Sequence, residues 1–147
     1  MTVRQIMSTK VFTVHPDKKL FVVGEVMEWA HVRHVPVVDA HGRLVGIVSH
    51  RDLLRASISS VETHIVRAER RQHLAQIAVA QVMQAPAHTV TPETTVRQAA
   101  AIMRTFHVGC LPVIENGVLV GIVMAHDMLG HIVHSLSLSE PQASSAA

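Results

Sequence analysis

The residues with the clearest chemical potential are Ser49, Arg51 and Asp52, in the run Gly46-Ile47-Val48-Ser49-His50-Arg51-Asp52. A glycine and a β-branched pair followed by a hydroxyl and an acid suit the junction where a buried strand ends and a helix begins. At such a junction a carboxylate can accept hydrogen bonds from both hydroxyls of a ribose, while a hydroxyl and the first free amides of the helix can face phosphate. The same spacing is also a capping box, in which the serine and the acid satisfy each other's backbone amides. The run recurs as Gly121-Ile122-Val123-Met124-Ala125-His126-Asp127, with Met124 in place of the hydroxyl. An aspartate kept without its capping serine favours a ligand, although an acid at a helix start is also favourable by itself.

Other candidates carry less. Asp127, His131 and His134 fall on one face of a helix and have side chains that bind metals, but histidine is common throughout this chain and no metal is assigned. Cys110 lies between apolar neighbours with no partnered histidine and is expected to be a buried small residue. The sequence has no phosphate loop ending in Lys-Ser/Thr and no nucleophile-base pattern, so catalysis is the weakest reading.

The elements that position these residues come in two copies. Val3, Met7, Pro16, Met27, His31 and Pro36 recur as Val79, Met83, Pro92, Met103, His107 and Pro112 at one constant offset. The offset then shortens by one residue, and Gly42, Leu44 and Asp52 recur as Gly117, Leu119 and Asp127. The deletion falls at a turn, where Asp39-Ala40-His41-Gly42 becomes Glu115-Asn116-Gly117, and Asn-Gly is a strong hairpin signal. The hairpin arms are Val35 to Val38 with Leu44 to Val48, and Leu111 to Ile114 with Val118 to Val123. Before each hairpin a short strand (Val11 to Val14, Ala87 to Val90) leads through a proline into a helical pattern. Leu20, Val23, Val26 and Met27 mark the first helix, and Val96, Ala99, Ala100, Ile102 and Met103 the second. Asp17 and the stretch Glu93 to Thr95 suit their starts. His31 and His107 sit at equivalent helix ends, where an imidazole N–H favours the dipole. Each copy reads strand, helix, strand, strand, helix. The expected division is residues 2–56 for the first copy, 57–78 for a helical connector with a looser entry at Ser57 to Ser60, 79–134 for the second copy, and 135–147 for a disordered tail rich in Ser and Ala.

Composition narrows the classes. With 147 residues, 48% hydrophobic but only 3% aromatic, the chain can bury a core built from aliphatic side chains and Met. Thirteen Lys and Arg against 11 Asp and Glu leave a net charge of +2, too balanced for a nucleic-acid footprint. Twelve histidines make the charge climb below about pH 6.5. The single cysteine cannot form an internal disulfide, the first residues lack a secretory apolar run, and no segment reaches the roughly 18 apolar residues of a membrane span. The expected location is the cytoplasm.

Strand, helix, hairpin and helix repeated twice resemble the tandem cystathionine-β-synthase-type domain pair, the CBS pair or Bateman module. The resemblance rests on Thr13-Val14-His15-Pro16 with Thr89-Val90-Thr91-Pro92, on Val35-Pro36-Val37-Val38-Asp39 with Leu111-Pro112-Val113-Ile114-Glu115, and on the two glycine-to-aspartate runs. It implies an α+β fold of two β-α-β-β-α repeats packed about a pseudo-two-fold axis, with two clefts that often hold adenosine-containing ligands. Ser49 and Asp52 complete the family's ribose pattern, and Asp127 keeps half of it. Arg51 and His126 lie where the family often places a phosphate-facing base. The resemblance further implies that Thr9, Val11, Arg33 and His34 face Asp127, and that Ala87 and Cys110 face Asp52, with Pro36 and Pro112 flanking the clefts. AMP, ADP, ATP and S-adenosylmethionine are the implied ligands, with no catalytic cofactor. Asp52→Ala is expected to remove binding while leaving the fold intact. The competing reading is a structural homodimerisation module with empty clefts, paired through Leu20, Val23, Met27, Ile102 and Met103.

Overall fold

A computed structural model describes residues 1–57 and 67–139 of the chain. Helix α1 (Leu20–Ala30) is followed by the antiparallel strands β1 (His34–Val38) and β2 (Leu44–Ser49) and by helix α2 (His50–Ser57). Helix α3 (Arg67–Leu74) and the single turn α4 (Val79–Val82) lead to the second copy: α5 (Val96–Phe106), β3 (Cys110–Glu115), β4 (Val118–Met124) and α6 (Ala125–Ser139). The fold is therefore mixed helix and strand, with two small antiparallel sheets, β1-β2 and β3-β4.

The short strand expected before each first helix is reduced to one parallel bridge, Val14 with Val37 and Val90 with Val113. Proline explains the truncation. Val14 N donates to Pro36 O at 3.1 Å and Val38 N to Val14 O at 2.9 Å, but the next rung would need a backbone N–H from Pro36, which has none. Pro112 stops the second ladder in the same way: Val90 N donates to its carbonyl at 3.1 Å, and the next donor is missing.

The first helix starts at Leu20 with Lys19 as its N-cap, which supplies no side-chain cap, and not at Asp17. In the second copy Thr95 caps α5, its hydroxyl accepting from Gln98 N. His31 and His107 close α1 and α5 in the left-handed conformation, with φ of 55° and 54°, so their role is backbone geometry at the helix end. Asn116 and Gly117 take the positive φ values, 51° and 80°, that a tight hairpin turn of this type requires. The expected connector helix is interrupted: α3 ends at Leu74, turns carry the chain to Ala78, and only then does α4 form. Ser57 is the last residue of α2, and the rest of the looser entry lies outside the described residues. Helix α6 runs to Ser139, into the stretch expected to be a disordered tail; residues 140–147 lie outside the described residues.

The two copies are interleaved. Val3, at the head of the first copy, is fully buried in the second core with Val90, Ala99, Met103, Leu111, Val113 and Val123. Val79, its equivalent, is fully buried in the first core with Leu20, Val23, Val35, Val37 and Val48. Backbone bonds fix both exchanges: Val3 N to Thr94 O at 2.8 Å and Arg4 N to Pro92 O at 2.9 Å, against Val79 N to Lys18 O at 2.8 Å and Ala80 N to Pro16 O at 3.0 Å. Each core is thus completed by the leading segment of the other copy, which ties the two into one folding unit.

Burial also removes the pairing stripe read from the sequence. Leu20, Val23, Met27 and Met103 all lie inside their own cores, and Ile102 packs against the second. The most exposed apolar side chains sit elsewhere and include Leu129, Ile132, Val133 and Leu136 on α6, Phe106, and Trp29, which is 76% exposed.

Candidate functional site

The leading segments cross the strands at the glycines that open the two motifs. Gln84 forms a two-bond bridge with Ile47, N to O at 2.9 Å and O from N at 3.0 Å, and Ser8 forms the same bridge with Ile122 at 2.9 Å in both directions. A Cβ on Gly46 would lie 2.8 Å from Met83 Sδ and 2.9 Å from Gln84 O; one on Gly121 would lie 2.9 Å from Met7 Sδ and 3.0 Å from Ser8 O. The glycine is there because another chain segment passes over it.

One turn further on, Asp52 is buried at 6% exposure and holds three hydrogen bonds. Oδ2 accepts from Ser49 N at 2.8 Å and from Ser49 Oγ at 2.7 Å, and Oδ1 accepts from Gln84 Nε2 at 3.0 Å. Ser49 Oγ in turn accepts from Asp52 N at 3.2 Å, completing a capping box at the start of α2. The capping arrangement weighed from the sequence is therefore formed, and Asp52→Ala would disturb the fold as well as any ligand, because Ser49 N and the Gln84 amide lose a buried acceptor. In the second copy Asp127 Oδ2 accepts from Met124 N at 2.8 Å. Half of the capping box survives without the hydroxyl, so retention of this aspartate has a structural cause after all.

Two of the residues expected to face the other copy's acid, His34 and Cys110, stay with their own copy. His34 pairs with Ser49 in the β1-β2 register and sits beside Asp52, and Cys110 pairs with Met124 and sits beside Asp127. The crossing is made by the leading segments instead. Burial lowers the His34 pKa below the usual imidazole value, against an opposing pull from Asp52 and with a smaller push from Arg33, and its buried Nδ1 has no partner. Burial pushes the Cys110 thiol up to about 12, helped by the Asp127 carboxylate.

The remaining candidates are scattered around these centres. Arg51, His126 and Thr9 are exposed, and Val11 is half-buried. Arg33, also exposed, accepts His50 N on its carbonyl at 2.8 Å and lines a groove of about 1330 Å³ with Phe21, Trp29, Leu53 and Arg71 among α1, α2 and α3. Neither Ser49 nor Asp52 borders that groove. Ala87 borders a small cavity of about 240 Å³ between the hairpins, with Leu44, Val45, Thr89 and Ile114. Pro36 and Pro112 are buried, and their carbonyls are used by Val14 and Val90. Among the described residues no group of three or more His, Cys, Asp and Glu side chains is gathered to hold a metal, and His131 bonds Ser135 at 3.1 Å. Among them, too, no helix is long and apolar enough to cross a membrane.

Sequence reasoning missed Gln84. Its signal was available, since the recurring Met7 and Met83 are followed by Ser8 and Gln84, where the copies diverge from a hydroxyl to a long amide.

The sequence profile of the CBS domain matches residues 3–59 and 79–134. A CBS domain-containing protein of Dictyostelium discoideum is 33% identical over 141 residues, covering 95% of this chain and 97% of its own. A Vibrio cholerae protein named for acetoin utilization is 33% identical, with a TM-score of 0.77 over 96% of this chain and 98% of that one. The CBS domain pair of protein MJ0100, solved in complex with 5′-methylthioadenosine and S-adenosyl-L-methionine, is 21% identical with a TM-score of 0.77, over 92% of this chain and 98% of that one.

Proposed function

The chain belongs to the CBS-domain family, and from that premise we propose that it is a non-catalytic regulatory module that binds an adenine nucleotide or another adenosyl ligand. The observation that carries the reading is Asp52, a buried carboxylate at the start of α2, in the seam where the second copy's leading segment crosses the first. A ribose diol exchanges its hydrogen bonds with water for bonds to that carboxylate, and the partly unsatisfied His34 beside it offers a further polar contact. The complex formed by the MJ0100 pair supports the ligand class, not the individual ligand. Occupancy changes the packing of the two copies, and hence a partner's activity, by population shift. A thermal-shift series with AMP, ADP, ATP, S-adenosylmethionine and 5′-methylthioadenosine tests the reading. Saturation at 100 times the dissociation constant adds about 2.7 kcal/mol, and absence of any shift at millimolar ligand contradicts it.

A second reading, homodimerisation, is favoured by the apolar face of α6. Leu129 and Ile132 are 60% and 51% exposed at helical spacing, continued by Val133 and Leu136. A second copy presenting the same face would cover it. Sedimentation of the parent and of Leu129→Glu/Ile132→Glu tests this: a dimer that becomes a monomer supports it, and a monomeric parent ends it.

A further inference from the structure

We propose that Gln84 sets the ligand affinity of the first cleft by competing with the ligand for Asp52, an inference that rests on the reading that Asp52 holds a ribose. Gln84 Nε2 donates to Asp52 Oδ1 at 3.0 Å, while Ser49 occupies Oδ2 twice. Both carboxylate oxygens are therefore engaged, and Oδ1 is held by the only one of these donors that comes from the other copy. A diol that takes two acceptor positions on this carboxylate displaces the amide or crowds it.

The second copy shows what the same geometry does without the amide. Ser8 is clamped to Ile122 as Gln84 is clamped to Ile47, but its hydroxyl donates to Lys10 O at 3.4 Å. Asp127 accepts from Met124 N on Oδ2, and among the described residues no counterpart of the Gln84 contact is formed. The repeat symmetry places the two leading backbones alike, so side-chain length decides which acid is covered. Gln84 is itself an exposed residue, and its amide returns to water once displaced. Displacement thus trades the bond from the Gln84 amide to the carboxylate for one from the diol, with the amide resolvated, a modest barrier rather than a blocked site. It also severs one side-chain contact between the copies, while the Gln84–Ile47 backbone bridge holds.

Isothermal titration of the full chain with AMP and, separately, S-adenosylmethionine tests this on the parent, Gln84→Ala, Gln84→Ser and Asp52→Asn. Gln84→Ser installs the residue that the first copy's leading segment carries at the equivalent position, Ser8, and the exposed position lets both variants fold, which their melting curves verify. The expected result is binding about 10-fold tighter in both Gln84 variants than in the parent, the low end of the value of a hydrogen bond to a charged group because the amide donor is exposed, with Asp52→Asn weakened. Equal or weaker binding in both Gln84 variants, with Asp52→Asn still impaired, overturns the role of Gln84 and leaves the ribose reading standing. No binding of either ligand to the parent or to either Gln84 variant overturns both.

Discussion

Met83 crosses Gly46 so closely that a Cβ on the glycine would lie 2.8 Å from its sulfur, and Met7 crosses Gly121 in the same way at 2.9 Å. The neighbouring carbonyl of Gln84, at 2.9 Å, is held in a backbone bridge and cannot swing aside as a methionine can. Gly46→Ala should therefore destabilise the protein by about 1–3 kcal/mol. Gly130 gives the contrast, since a Cβ there meets nothing within 4 Å in the middle of α6, and Gly130→Ala should stabilise by about 0.5–1 kcal/mol. Urea melts of the two variants should move in opposite directions.

Cys110 should be chemically silent in the folded protein. Burial and the Asp127 carboxylate hold its thiol at about 12, so at pH 8 the thiolate fraction is on the order of a thousandfold below that of a free cysteine. Alkylation by iodoacetamide should be slow in buffer and fast in denaturant; equal rates would contradict the buried assignment.

His34 should make stability depend on pH. The unfolded imidazole takes up a proton near pH 6.5, while burial keeps the folded one neutral to lower pH. In that window the unfolded state binds more protons, so stability is fully present above about pH 6.5 and falls as the pH drops below it. Denaturant melts at pH 7.5 and 5.5 should show a larger loss in the parent than in His34→Gln.

The two aspartates should differ in structural weight. Asp52→Ala removes an acceptor for three bonds and leaves Ser49 N unmatched, while the exposed Gln84 amide turns to water, a loss of about 1–3 kcal/mol. Asp127→Ala removes the one bond from Met124 N and should cost less. Melting temperatures of the two variants check the order.

Much of this architecture was legible in the sequence, because duplication makes each signal appear twice. The hairpins follow from Asn116-Gly117 and its longer equivalent, and the helices from the spacing of Leu20, Val23 and Met27. What was not legible depends on contacts between distant segments. Val3 and Val79 look like ordinary apolar residues at the heads of their own copies, and nothing local reveals that each fills the other's core. The offset between copies gives symmetry but not which copy's segment lies over which strand. His34 and Cys110 were placed across the seam on resemblance, whereas the β1-β2 and β3-β4 registers hold each beside its own acid. The aspartates were legible as helix-start residues; that Asp127 keeps a backbone amide without a serine depends on Met124 N, which no side-chain pattern displays.

The most direct measurement is calorimetric titration of the parent and Asp52→Asn with AMP and with S-adenosylmethionine. Asparagine keeps the size of the side chain and one carbonyl acceptor but loses the charge that a ribose diol engages. The account predicts saturable binding by the parent to at least one ligand and a loss of roughly 10-fold or more in Asp52→Asn, as expected for hydrogen bonds to a charged group. No heat with either ligand up to millimolar concentration, or an unchanged affinity in a folded Asp52→Asn protein, would contradict it.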